Sequence, residues 1–138
     1  MEKWNKIRYR KYFDLTRGTN LKNEFEAKVH TIEHFLSALY AADITDLVIE
    51  LDGNELPICD GSAGSFIDLF ENAGIKELDA EVEPIVITKP IYLTVNDKNI
   101  VALPYDGYKI TYAIRFEHSF LKSQLAEFEI NLENYKKR

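Results

Sequence analysis

The apolar residues of this 138-residue chain change their period part-way along, and that change limits the folds open to it. From Val29 to Ala42 they recur at helical spacing, at Val29, Ile32, Phe35, Leu36 and Leu39. From Ile85 to Val95, and again from Tyr108 to Phe116, they alternate with polar residues as in half-buried strands. Helices that cover one face of antiparallel strands satisfy both patterns, which predicts an α+β fold in two layers.

Turn chemistry divides the pattern further. Residues 7–15 read as a strand, followed by the turn Thr16-Arg17-Gly18-Thr19-Asn20. After the helix over 31–42, Asp46–Leu51 reads as a strand stopped by Asp52-Gly53. Asp60-Gly61-Ser62 offers side-chain oxygens to start a second helix, with Phe66, Leu69, Phe70 and Ala73 as its inner stripe and Gly74 at its end. Glu81–Pro84 reads as a linker. Strands are expected over Ile85–Val95, Asn99–Leu103, Tyr108–Phe116 and Phe128–Leu132, with Asn96-Asp97 turning the first into the second. The expected organisation is a partial first domain over 1–80 and the opening β-meander of a second over 81–138. That meander has no helix of its own, so its apolar face needs cover from the first half or from sequence beyond Arg138.

Charge excludes one broad class of function. The formal net charge is -6, and general nucleic-acid binding needs a basic surface that displaces counterions. Two short segments run against that average. Lys3, Lys6, Arg8, Arg10 and Lys11 interleave with Trp4, Tyr9, Tyr12 and Phe13, and Lys136-Lys137-Arg138 closes the chain. The first suits either a phosphate or membrane surface or, as preferred, the solvated face of an edge strand. The single cysteine, Cys59, forms no internal disulfide and reads as a small buried hydrophobe. No apolar run is long enough to span a bilayer, and the charged N-terminus lacks the core of a signal peptide, so a cytoplasmic protein is expected.

The helix over 31–42 carries the candidate chemistry. On a wheel of about 100° per residue, Ile32, Phe35, Leu36 and Leu39 form the expected core face. His34 lies on the other side with Ser37, Ala38 and Ala41, where small side chains let something approach closely. Glu33 and His34 are the ionisable pair of this stretch. Histidine is the commonest metal ligand, and a Glu beside it projects far enough round the helix to act on water as general base. A helix whose Glu and His make only ordinary hydrogen bonds would show the same dipeptide. His30-Thr31-Ile32-Glu33-His34 also fits the H-x-x-E-H signature of inverzincin peptidases. That reading needs a helix starting well before His30, with Asn23 and Glu26 as its capping box. The alternative ends a strand at Val29-His30 and makes Thr31 the N-cap, which takes His30 off the shared face.

A longer phrase extends these motifs. Thr31-Ile32-Glu33-His34-Phe35-Leu36-Ser37-Ala38-Leu39 resembles the T-[VI]-E-H-L-x-[AS]-A-L helix of the UDP-3-O-acyl-N-acetylglucosamine deacetylase family (LpxC). Glu55-Leu56-Pro57-Ile58-Cys59-Asp60-Gly61-Ser62-Ala63 resembles its E-[IL]-P-x-x-D-G-S-A element, and Arg17-Gly18-Thr19 its R-G-T turn. Pro104–Tyr108 and Phe116-Glu117-His118 resemble the opening strands of its second domain. The resemblance implies two related domains of the ribosomal-S5-domain-2-like type with a zinc site between them. It implies His34 as a zinc ligand, Glu33 as the catalytic base and Thr19 as a substrate-binding residue near the site. The implied substrate is a nucleotide-sugar lipid precursor, UDP-3-O-(3-hydroxyacyl)-N-acetylglucosamine, on the route to lipid A. Asp60 and Ser62 are expected to cap and turn, and His118 to be structural. The family's other ligands, a His and an Asp of an H-x-x-x-D helix, its later general-acid His and its G-L-H-[ST]-G element have no counterpart in these residues.

Three functions are therefore weighed: a zinc-dependent N-deacetylase, completed by a missing C-terminal half or a second copy; a non-catalytic remnant that binds a partner; and the H-x-x-E-H peptidase.

Overall fold

The structure is a computed structural model that describes residues 18–23 and 26–136. The strand expected over residues 7–15, the basic aromatic segment around it, Thr16 and Arg17 of the turn, Phe25 and the closing Lys137-Arg138 lie outside these residues. The chain divides into two compact units. One holds the described residues up to Ile75 with Tyr135 and Lys136, and the other is Lys76–Asn134.

The first unit opens with an antiparallel hairpin of β1 (Leu21–Lys22) and β2 (Lys28–Val29). Asn23 closes its loop from both ends. The Asn23 N–H donates to the Ala27 carbonyl at 3.0 Å, and Asn23 Oδ1 accepts the Ala27 N–H at 3.0 Å. Asn23 and Glu26 thus serve a hairpin turn, not the capping box of a long helix. His30 then bridges Glu55 in the parallel sense. Its N–H donates to the Asn54 carbonyl at 2.8 Å and its carbonyl accepts the Leu56 N–H at 3.3 Å.

Two helices follow, α1 (Glu33–Ala41) and α2 (Gly64–Ala73). They meet through aromatic rings: Phe35 sits edge-on to Phe66, centroids 5.3 Å apart, and to Phe70 at 5.5 Å. Edge-to-face pairs of this kind add to the stabilisation from burying each ring. The face of α1 turned inward is Phe35, Ala38 and Ala41, continuing from Ile32, while Leu36 and Leu39 are only half-buried. The expected face is thus rotated towards the alanines, whose small side chains allow close packing where a leucine would need room. On α2 the buried set is Phe66, Ile67 and Phe70, and Leu69 is exposed, so Ile67 takes the place expected of Leu69. Gly74 ends α2 as expected, at φ +80° with its N–H on the Phe70 carbonyl at 3.0 Å. Tyr135 and Lys136 reach this unit through Ser37 and Glu71 respectively.

The strand expected at Asp46–Leu51 does not form among the described residues. The segment has no ladder partner there, and Val48 is 72% exposed. An extended segment becomes a strand only when a neighbour takes its backbone hydrogen bonds.

The second unit holds two antiparallel hairpins, where a single meander was expected. In one, β3 (Ile91–Val95) pairs with β4 (Lys98–Ala102) across Asn96-Asp97, with Asn96 at φ +55°. In the other, β5 (Lys109–Arg115) pairs with β6 (Ser123–Glu129), from Lys109 opposite Glu129 to Arg115 opposite Ser123. The last strand therefore begins five residues before the expected Phe128. The chain then turns into a short helix, α3 (Leu132–Lys136), because Asn131 Oδ1 accepts the Asn134 N–H at 2.9 Å and starts a helical turn. Helices and antiparallel strand pairs together make a mixed architecture compatible with the expected α+β class.

Candidate active site

Three of the sequence-predicted residues can be followed directly: Thr19, Glu33 and His34. Glu33 is the first residue of α1, and its side chain turns back onto the Gly18-Thr19 turn. The Thr19 backbone N–H donates to Glu33 Oε2 at 2.9 Å. A Cβ on Gly18 would lie 3.4 Å from Glu33 Oε1, so the turn comes up against both carboxylate oxygens. The turn is fixed at its other edge, since the Thr19 carbonyl accepts the Ile32 N–H at 3.1 Å. Thr19 and Glu33 therefore form one local unit, although 14 positions separate them. The helix N-terminus adds to this, because its unpaired N–H groups favour a negative side chain in the first turn.

His34 follows on α1 and is half-buried. Its backbone carbonyl accepts the Ser37 hydroxyl at 3.0 Å. His30 does not join it. His30 lies in the bridge to Glu55 before the helix begins, and its Nδ1 is 3.1 Å from Asn20 Oδ1. The two histidines of the H-x-x-E-H phrase are consequently not on one helix, as shared ligation at that spacing requires. The peptidase reading is withdrawn on that ground.

Thr31, at the junction, is not a simple N-cap. Its φ is +58°, a left-handed value that a β-branched residue adopts at a cost of about 1–3 kcal/mol. Its hydroxyl donates to Glu55 Oε1 at 2.7 Å and its N–H donates to Asn20 Oδ1 at 3.3 Å. Asn20 is buried, and its side chain serves both Thr31 and the His30 ring. Sequence reasoning missed Asn20 and Glu55. Asn20 closed the turn motif and could have been flagged as a residue that bonds backbone groups; Glu55 opened the second motif, but nothing in that motif pointed to Thr31.

The second motif behaves as a turn and cap. Asp60 Oδ1 accepts the Ser62 N–H at 2.9 Å and the Ser62 hydroxyl at 2.8 Å, and Ser62 Oγ accepts the Gly64 N–H at 3.1 Å at the start of α2. The Ser62 N–H, then its hydroxyl, hold the Asp60 carboxyl below its ordinary range. Cys59, expected to be buried, is exposed at φ +52°. The tight turn that brings Asp60 to Ser62 leaves it on the outside. His118 has a structural task, with Nδ1 accepting the Phe120 N–H at 3.2 Å and lying 3.4 Å from that of Leu121.

These elements agree with a match along nearly the whole chain. The sequence profile described as UDP-3-O-acyl N-acetylglycosamine deacetylase covers residues 2–138. The chain belongs to that deacetylase family. A UDP-3-O-acyl-N-acetylglucosamine deacetylase of Leptospira biflexa is 41% identical over 111 residues, which is 80% of this chain and 37% of that protein. One of the same name from Thermodesulfovibrio yellowstonii is 41% identical over 108 residues, 78% of this chain and 37% of its own length. The Alcanivorax borkumensis deacetylase is 40% identical over 112 residues, again 80% and 37%. The chain thus spans a little over a third of the length of the curated deacetylases it matches.

Zinc, implied by the deacetylase resemblance, meets an incomplete donor set. Among the described residues no three His, Cys, Asp or Glu side chains converge on one point. A catalytic zinc takes three protein ligands, so these residues do not hold the ion by themselves. Among the described residues, no helix is long and apolar enough to cross a membrane.

Proposed function

We propose that this protein forms part of a zinc-dependent hydrolase that removes the N-acetyl group of UDP-3-O-(3-hydroxyacyl)-N-acetylglucosamine, on the route to lipid A. Water adds to the acetamide carbonyl and the C–N bond breaks, giving acetate and a free amine. Glu33 is the general base that takes the proton from water. His34 is one zinc ligand, and Thr19 borders the substrate. Residues 1–80 belong to a first deacetylase domain and 81–138 open a second, of the ribosomal-S5-domain-2-like type. The reaction takes place in the cytoplasm, close to a membrane surface.

The observation that carries this reading is the Glu33 carboxylate, held by the Thr19 N–H beside His34 on α1. A base fixed by a backbone donor is oriented before substrate arrives, which is what general-base catalysis needs. The test is a zinc titration and an acetate-release assay of the chain combined with the part of a family deacetylase that it does not cover, repeated with His34→Ala and with Glu33→Gln. Zinc binding lost in His34→Ala, and acetate release lost in Glu33→Gln, support the reading. Binding that His34→Ala leaves unchanged overturns the role of His34.

A second reading is a family member that binds a partner without catalysis. Apolar strand residues left open in the second unit favour it, with Tyr112 58% and Leu125 73% exposed. No zinc binding and no acetate release even when the chain is combined with the rest of a family deacetylase supports this alternative.

A further inference from the structure

The backbone passes from a bridge at His30 to a helix at Glu33 within two residues, and Thr31 makes the change by adopting a left-handed φ of +58°. Glycine or asparagine would take that conformation more easily. A threonine in their place keeps one thing they lack, a hydroxyl on a stiff, β-branched side chain. That hydroxyl is used, in the 2.7 Å bond to Glu55 Oε1. Three successive residues are then tied to fixed points: Thr31 to Glu55 and Asn20, Ile32 to the Thr19 carbonyl, and Glu33 to the Thr19 N–H. Glu55 is itself anchored, because its neighbours Asn54 and Leu56 hold His30 from both sides.

We infer that Thr31 and Glu55 are positioning residues for Glu33. The Thr31–Glu55 bond holds the left-handed junction, the junction sets the rotation of the first turn of α1, and that rotation delivers the Glu33 carboxylate to the Thr19 N–H. This rests on the reading of Glu33 as the base, and extends it to two residues that do not touch the reacting atoms. Strain held at a junction by side-chain bonds is a known means of fixing a functional group.

The test follows the Thr19 amide in the full chain by NMR, through its chemical shift and its hydrogen-exchange rate. Thr31→Gly separates the two roles Thr31 could have. It relieves the left-handed strain, so a merely structural residue would leave the Thr19 amide as protected as before or more so. A positioning residue predicts exchange about tenfold faster at Thr19, the effect of one net hydrogen bond, with the Ile67 amide in the helix core unchanged. Glu55→Ala should reproduce that effect. Thr31→Ser keeps the hydroxyl and Glu55→Gln keeps an acceptor oxygen, so both should restore protection. A Thr19 amide unmoved by both Thr31→Gly and Glu55→Ala overturns the inference, as does loss of protection in Thr31→Ser and Glu55→Gln alike. If Thr31→Gly fails to fold, the Glu55 pair decides alone, since that side chain is exposed. No turnover is measured, so the inference stands or falls separately from the deacetylase reading.

Discussion

The Thr19 backbone N–H donates to Glu33 Oε2 at 2.9 Å, and this bond joins the turn before the first hairpin to the first residue of α1. A hydrogen bond to an ionised, partly buried acceptor contributes about 1.5–3 kcal/mol, reduced here by solvent at the turn. Glu33→Ala should therefore lower stability by about 1–2 kcal/mol. Glu33→Gln, which keeps an acceptor oxygen, should cost less than half of that. Urea unfolding of the three proteins checks this. Equal losses for Ala and Gln would mean that the carboxylate charge, not the bond to Thr19, is what the turn recognises.

The two helices depend on one ring. Phe35 lies edge-on to both Phe66 and Phe70 and is buried. Phe35→Ala should cost about 3–5 kcal/mol, the range for emptying a packed aromatic site. In a unit with so few buried residues that loss should abolish its cooperative unfolding transition, whereas Phe35→Leu should keep it at reduced stability. Near-ultraviolet circular dichroism through a urea titration reads the difference. An alanine variant that unfolds like the parent protein would show that the α1–α2 interface contributes little.

These two predictions use the part of the fold that hydrophobic period made legible. Helix positions near 33–41 and 64–73 follow from their repeats, and Gly74 from its place after the last apolar residue. That something approaches Ala38 and Ala41 closely was legible from their size, but not that they lie deeper in the core than Leu36 and Leu39, because a small side chain says nothing of what packs against it. The start of β6 was also hidden. Ser123 and Gln124 carry no strand signal, and their pairing with Arg115 and Ile114 is fixed by register in the hairpin. At the site, Glu33 and His34 stand out as the ionisable pair of an otherwise uncharged helix. The Thr31 and Glu55 contact was not readable, since it spans 24 positions and depends on a backbone angle.

Cys59 offers a direct check on the turn before α2. The sequence suggested a buried thiol, and the structure exposes it. The native protein should react with a thiol-specific disulfide reagent to one equivalent without denaturant. Adding urea should leave the extent of reaction unchanged and alter its rate little. Reaction that waits for unfolding would mean that the Cys59–Ser62 turn is packed inward.

The hairpin of β5 and β6 carries a polar ladder with a defined response to acid. Thr111 donates its hydroxyl to Glu127 Oε2 at 2.7 Å, and Lys109 lies 3.4 Å from Glu127 Oε1. The Thr111 bond first, and the Lys109 charge second, hold the Glu127 carboxyl below its ordinary value. A carboxyl whose pKa is lower in the folded state stabilises the fold above its unfolded pKa, and that contribution fades as pH falls through the folded one. The loss therefore falls below the ordinary glutamate range of about 4.3. Thr111→Val removes the larger cause, so the Glu127 titration followed by carboxyl-carbon NMR should move up towards the ordinary value. Lys109→Gln should move it in the same direction by less. A titration that Thr111→Val leaves in place would show that the hydroxyl points away from Glu127 in solution, and the cross-strand register from Lys109 to Arg115 would then need to be measured directly.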